Sequence, residues 1–296
     1  MRLFDFGKKT EALPASNVAA VGALLDGYSI EVMPRTAEKV ADFREHLAPG
    51  TRVYIAHIEG VPFDDMLSTA KRLVDEGFAP MPHFPARIIP SAAVFEDRVR
   101  AYADIGVNQA LVLGGSPSSP AGDIDNSMQL LENGAFDRHG FKRLHVAGHP
   151  EGNSDIKGGE KTLIDALRWK QDFRNRSDAE MAIVTQFAFD AKPVLKWATM
   201  LKTNGIDLPV HIGIAGPAKL QTLIKFAMAC GVGASTKVLT RRAKDLSKLL
   251  LPFEPTEVLQ EVANHLQAND NTNIEKVHIF PLGGIKAACT YANSHK

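Results

Sequence analysis

Eight short segments of the chain are apolar or alternate apolar with polar residues: Tyr28 to Pro34, Arg52 to Ile58, Ala79 to Ala86, Gln109 to Gly115, Arg143 to Pro150, Met181 to Phe189, Pro209 to Gly216 and Lys276 to Gly284. Runs of that length and rhythm predict strands. Between them apolar residues recur one helical turn apart, as in Phe63, Met66, Leu67, Ala70, Leu73 and Val74, and again in Leu220, Leu223, Ile224 and Ala227, which predicts amphipathic helices. Gly77, Gly106 and Gly205 each stand just before a strand, where a left-handed residue ends a helix at little cost. Alternating β-then-α units imply a parallel sheet, and eight of them imply closure into a single (β/α)8 TIM barrel over residues 1–296. An open α/β sheet is the competing arrangement.

Two stretches depart from the repeat. Ser235 to Asp270 is too long for a loop and carries helical runs at Leu246 to Leu251 and Thr256 to Leu266, split by PFEP; it predicts a helical insertion before the eighth strand. Ser116 to Gly122, SPSSPAG, directly follows the fourth strand, the place of an active-site loop in a barrel.

At 296 residues the chain has the length of one barrel, and a core of that size needs no disulfide or metal staple. Lys plus Arg equals Asp plus Glu at 34 each, so no basic field is available for a nucleic-acid backbone. Cys230 and Cys289 are far apart and lack metal-ligand spacing, as expected of a protein in a reducing cytoplasm. The opening MRLFDFGKKTEALP has no apolar core ahead of a cleavage-like site, and no run approaches a membrane span. The expectation is a cytoplasmic protein with a small-molecule ligand, with neither nucleic acid nor membrane as partner; self-association into a homo-oligomer is left open.

Barrel enzymes gather their chemistry at the C-terminal ends of the strands. Glu31, His57, Glu59, His83, Ser116, His149, Glu151, Gln186 and Asp190 fall toward those ends, whereas His145, His211 and His278 fall near strand beginnings and read as structural. In SIEVMPRT, Ile30 and Val32 share one face and Glu31 the other, so Glu31 points into the barrel if the aliphatic pair meets the helices. Burial should raise its pKa and make it a general acid; an ion pair with Arg35 is the alternative. Gln186, in IVTQFAFD, could hold the edge of a planar heterocycle or satisfy a backbone edge in the core. His57, His83 and His149 could converge on a metal, but there is neither an HxH on the first strand nor an acidic ligand on the eighth. The glycine pair Gly114 and Gly115, like that at Gly283 and Gly284, could offer backbone N–H groups to a phosphate. No Rossmann or P-loop fingerprint is present.

With these residues in place the chain resembles the methylenetetrahydrofolate reductases, FAD-dependent barrels of this length. EVMPRT at Glu31 is similar to the family's EFFPPR strand, PHF at His83 and VAGHPEG from Val146 to Gly152 match further strand ends, and VTQFAFD from Val184 to Asp190 is similar to ITQFFFD. The resemblance implies that Glu31 helps protonate the folate and open its methylene bridge, and that Gln186 holds the pterin, with Ser116 and Phe189 beside it. It further implies that His57, His83, Gly114, Gly115, Ala147, His149 and Lys170 line FAD. A hydride from NADH or NADPH would then pass through FAD to 5,10-methylenetetrahydrofolate, yielding the 5-methyl form for one-carbon metabolism and methionine synthesis.

The departures from the family pattern are local. Its RGD after the fourth strand is Gly114, Gly115, Ser116 here; the tyrosine of its YPE is His149; its HP is Asn153 and Ser154; an aromatic expected near Leu220 is absent; and the asparagine and arginine after strand eight are Gly283 and Gly284. Most of these touch the flavin, whereas Glu31 and Gln186 touch the folate. Direct hydride transfer from the nicotinamide without flavin, and a folate-binding protein without catalysis, are therefore the alternatives.

Overall fold

The computed structural model describes residues 15–153, 156–229, 239–240, 252–269 and 271–295. Its strands are β1 (Ser29–Val32), β2 (Arg52–Ile55), β3 (Ala79–Pro85), β4 (Gln109–Leu113), β5 (Arg143–Gly148), β6 (Glu180–Ala188), β7 (Val210–Ala215) and β8 (Ile274–Phe280). They pair in chain order, all parallel, and β8 pairs with β1 to close the barrel. Around them lie α1 (Ala15–Leu25), α2 (Pro34–Ala37), α3 (Phe63–Asp75), α4 (Ala92–Asp104), α5 (Ser127–Glu132), α6 (Ala135–Arg138), α7 (Gly159–Phe173), α8 (Ala191–Thr203), α9 (Leu220–Ala229), α10 (Thr256–Ala268) and α11 (Ile285–Ser294). The closed (β/α)8 barrel read from the periodicity is the observed fold, and the open sheet is excluded.

The alternation along each strand separates two cores. Ile30, Val53, Ile55, Val112, Val146, Ile183, Ile212 and Ile279 face outward into the layer between strands and helices. Tyr54, Met81, Leu111 and Val184 face inward and form a separate cluster in the barrel lumen. α3 shows why the helices dock: Met66, Ala70 and Leu73 are buried along one stripe, and Asp64 and Asp65 stand in the first turn where the helix dipole favours negative charge. Gly77, Gly106 and Gly205 all take positive φ, at 88°, 87° and 70°.

α10 fulfils the expected helix after PFEP: with α9 it makes more than one helix between β7 and β8, as a helical insertion before the eighth strand requires, and it packs on α1 and α8. The expected run Leu246 to Leu251 lies outside the described residues, as do Cys230 and the first fourteen residues. β8 begins at Ile274, two residues before the predicted start, and ends at Phe280. Polar Asn273 and exposed Glu275 hide its beginning from a search for apolar runs.

The β6–β7 pairing breaks register between Val184 and Phe187. Thr185 Oγ1 donates to the Gln186 carbonyl at 2.8 Å and accepts from Gly213 N at 2.8 Å, which fixes this bulge. A Cβ on Gly213 would lie 2.4 Å from the Thr185 carbonyl oxygen and 2.6 Å from that of Gln186. Bulges of this kind re-aim side chains at a strand end, and Gln186 lies within this one. Gly213→Ala is expected to destabilise the protein by about 1–3 kcal/mol through overpacking, read as a lower urea midpoint; an unchanged midpoint would show that the bulge yields freely.

Candidate functional site

Glu31 lies in the lumen, as its strand phase required. Its neighbours Ile30 and Val32 are buried in the outer core, and the carboxylate is 18% exposed, with Oε2 at 3.3 Å from His83 Nε2 and 3.8 Å from His278 Nε2. The parallel register sets Glu31 beside Tyr54 and Ser29 beside His278. The Tyr54 ring lies tilted at 4.3 Å from that of His278 and meets His83 edge-on at 6.2 Å. Four strands thus converge on one carboxylate.

The expected rise in the Glu31 pKa is not observed. Burial pushes it upward, but the imidazoles of His278 and His83 together outweigh burial and bring it down to about 2. Glu31 is therefore an anion at neutral pH, held between two imidazoles. Arg35, the partner considered from sequence, is exposed on α2. His278 is itself lowered by burial, with Glu31 pulling the other way. It had been assigned to a strand beginning and a structural role; the earlier start of β8 carries it up to the level of the carboxylate. Histidine at the inward phase of KVHIF was the available signal.

A second feature lies beside the ends of β4 and β5. A cavity of about 770 Å³ is lined by Gly114, Ser116, Ala147, His149 and Lys170 among others, so five of the residues singled out in the sequence share one space. Lys170 is 7% exposed on α7 and has no acidic partner among the described residues; burial lowers its pKa to about 8. Arg87 and Lys157 also reach the cavity, although Arg87 is engaged by Asp125 at 3.1 Å. The loop is pressed onto the end of β3: Arg87 N donates to the Gly114 carbonyl at 2.9 Å, and Gly115 takes φ 91°.

Other expected site residues stand elsewhere. His57 Nε2 lies 3.0 Å from the Val61 carbonyl, burial holding its pKa down. His83 faces Glu31 and His149 lines the cavity, so the three histidines considered for a metal do not meet at one point. Among the described residues no group of three or more His, Cys, Asp or Glu is placed to hold one. Phe189 is buried, edge-to-face with Phe187 and Phe253 at 5.5 Å and 5.4 Å, in the apolar cluster that includes Leu220 and Leu223 of α9. Gln186 is half-buried at the bulge of β6.

Beneath Glu31 the lumen is unusually polar. Tyr54, His145, His211 and His278 are all at most 2% exposed, and sequence reasoning had set the last three aside. The His145 pKa is driven well down by burial and then by the charges of His211, Arg52 and Arg143. That of His211 falls to about 3 for the same reasons.

No family profile matches the chain. Among solved structures it is similar to an uncharacterized protein from Clostridium thermocellum that binds two copies of 5-methyl-5,6,7,8-tetrahydrofolic acid. The TM-score is 0.56 and the identity 12%, over 92% of this chain and 96% of that one. It is also similar to 2,3-dimethylmalate lyase, a member of the PEP mutase/isocitrate lyase superfamily, with TM-score 0.50 and 9% identity over 96% and 86% of the two chains. At these identities the likeness establishes the barrel fold. No helix among the described residues is long and apolar enough to cross a membrane.

The buried histidines set the acid response. His145 and His211 are neutral in the folded protein at pH values where they are protonated once unfolded, so the unfolded chain binds more protons and stability falls with pH. From about pH 6.5 down to about 4, urea stability should decline by up to about 1.4 kcal/mol per pH unit for each histidine. His211→Gln should make that decline shallower, and a profile identical to wild type would contradict the assignment.

Proposed function

We propose that the chain is a methylenetetrahydrofolate reductase-like oxidoreductase, converting 5,10-methylenetetrahydrofolate to 5-methyltetrahydrofolate with NADH or NADPH. The observation that carries this reading is the Glu31 carboxylate held in the barrel lumen between His83 and His278. A carboxylate there suits a reduced folate in two ways. Its negative charge favours the iminium cation produced when the methylene bridge opens, and it passes to the leaving nitrogen a proton drawn from an adjacent imidazole. The acid is thus the carboxylate and its histidines together, not a neutral Glu31. Gln186, at the bulge of β6, offers both a donor and an acceptor to the pterin edge. The neighbour of similar fold that binds 5-methyltetrahydrofolic acid supports the ligand class.

In this reading the cavity beside β4 and β5 would hold FAD. Lys170, buried without an acid, suits a phosphate oxygen, and Gly114, Ser116, Ala147 and His149 would line the rest. FAD bound there would supply hydride transfer from the nicotinamide. The uncharged Gly114–Gly115–Ser116 turn, where the resembled family carries Arg and Asp, favours a second reading in which the folate takes its hydride directly from NADH or NADPH.

Glu31→Gln should lower turnover by about 100-fold or more while folate binding is largely kept; unchanged turnover would refute the assigned role. Titration with FAD separates the two readings. A visible flavin band on the purified protein, weakened about tenfold in affinity by Lys170→Met, supports the flavoenzyme. Turnover without that band supports direct transfer.

A further inference from the structure

We propose that Phe280 is the ring on which the pterin of the reduced folate packs. The inference deepens the reading of Glu31 as the carboxylate that receives a folate, and rests on it. On β8, Val277 and Ile279 belong to the outer core, so His278 and Phe280 share the inward phase. Phe280 stands two residues, about 7 Å, nearer the C-terminal mouth of the barrel. The two rings meet edge-to-face at 4.7 Å, and His278 Nε2 is 3.8 Å from Glu31 Oε2. Phe280 thus lies directly against an imidazole that holds the carboxylate.

Two features of the neighbouring strands set where the ring lies. The first is Gly213 of β7. Gly213 pairs with His278 and Ala215 with Phe280, yet a Cβ on Gly213 would come 2.7 Å from Phe280 Cε2. The ring therefore leans back toward the level of His278, into room that a side chain at position 213 would fill. The second is the β6 bulge. Ile183 faces outward and Val184 inward, so strict alternation would turn Phe187 outward and Ala188 inward. The register break instead pairs Phe187 with Gly213 and leaves Ala188 in the outer core, and the Phe187 ring meets that of Phe280 at 5.3 Å and 71°. Phe280 is thus fixed by Phe187, His278 and Gly213 together.

The structural alternative is a ring that merely caps the apolar cluster of Phe187, Phe189 and Phe253. Burial separates the two readings. Those three are buried, and so is Tyr54, the other aromatic neighbour of His278. Phe280 is half-buried at the edge of the cluster. An aromatic ring with surface left uncovered, beside a carboxylate that is itself partly exposed, suits a ligand with an apolar plane and a nitrogen that takes up charge. A reduced pterin has both. Its fused ring would cover Phe280 while the nitrogen of the opening bridge reaches Glu31, and the water displaced from the ring would no longer screen the carboxylate from the iminium cation.

Equilibrium binding of 5-methyltetrahydrofolate to the full chain and to two variants tests the assignment. Phe280→Leu keeps apolar bulk without the ring and should weaken binding about tenfold; Phe280→Tyr keeps the ring and should stay within about twofold of wild type. In turnover, Phe280→Leu should raise KM for methylenetetrahydrofolate by the same factor, with kcat and KM for NADH or NADPH changed far less. A merely structural ring would lower the urea midpoint and leave the affinity of the folded protein unaltered, and that result overturns the proposal. A rise confined to KM for the nicotinamide overturns it too. NMR of ring-labelled phenylalanine adds a direct readout: the resonances that Phe280→Leu removes should shift as wild type is titrated with 5-methyltetrahydrofolate, and unmoved resonances overturn the contact. Wild type that binds the folate without turning it over refutes the reductase reading, while the binding comparison still decides the role of Phe280; wild type that binds no folate refutes both.

Discussion

A carboxylate inside a barrel is costly unless it is paired, and the pairing of Glu31 with His83 and His278 organises the rest of this molecule. An ion of that size loses several kcal/mol of hydration on burial. The two imidazoles offset that loss so far that the carboxyl titrates below its ordinary range. To place them there, β3 and β8 must flank β1 at a fixed register, and Tyr54 must pack between, against His278 on one side and His83 on the other. Closure of the barrel and the charge state of its principal acid are thus one problem with one solution.

The two halves of the site differ in kind. The lumen around Glu31 is built from strand residues whose phase leaves little choice. The cavity of about 770 Å³ beside β4 and β5 is lined by the ends of those strands, the loop after β4 and residues of α5, α7 and α8, with a desolvated lysine as its main electrostatic feature. On the proposed reading, folate chemistry would use the first, and the second would hold the hydride carrier. This division explains why resemblance to the reductases is strongest on strands and weakest in the loop after β4.

Much of the fold was legible because the signals are local. Alternation marked all eight strands, and Gly77, Gly106 and Gly205 ended helices where a positive φ was needed. The phase of Ile30, Glu31 and Val32 gave the inward direction of the carboxylate correctly. Its charge state was not legible, because the partners that decide it, His83 and His278, are remote: His278 meets β1 only across the closing seam, where it pairs with Ser29, 249 positions away. Burial was weighed alone, and it points the wrong way once two imidazoles are added. His278 was missed because β8 opens with Asn273 and Glu275, which masked the strand's true start and put the histidine at the wrong height. Phe189, legible as an aromatic at a strand end, is claimed by packing against Phe187 and Phe253, which the chain around it does not announce.

The central claim is that an ionised Glu31 receives a reduced folate at the barrel mouth. Carbon-13 NMR of the glutamate side-chain carboxyls, with the Glu31 resonance assigned by Glu31→Gln, tests it most directly. The account predicts an ionised carboxylate at neutral pH whose resonance shifts on titration with 5-methyltetrahydrofolate. A resonance characteristic of the protonated acid, or one that saturating folate leaves unmoved, would contradict it.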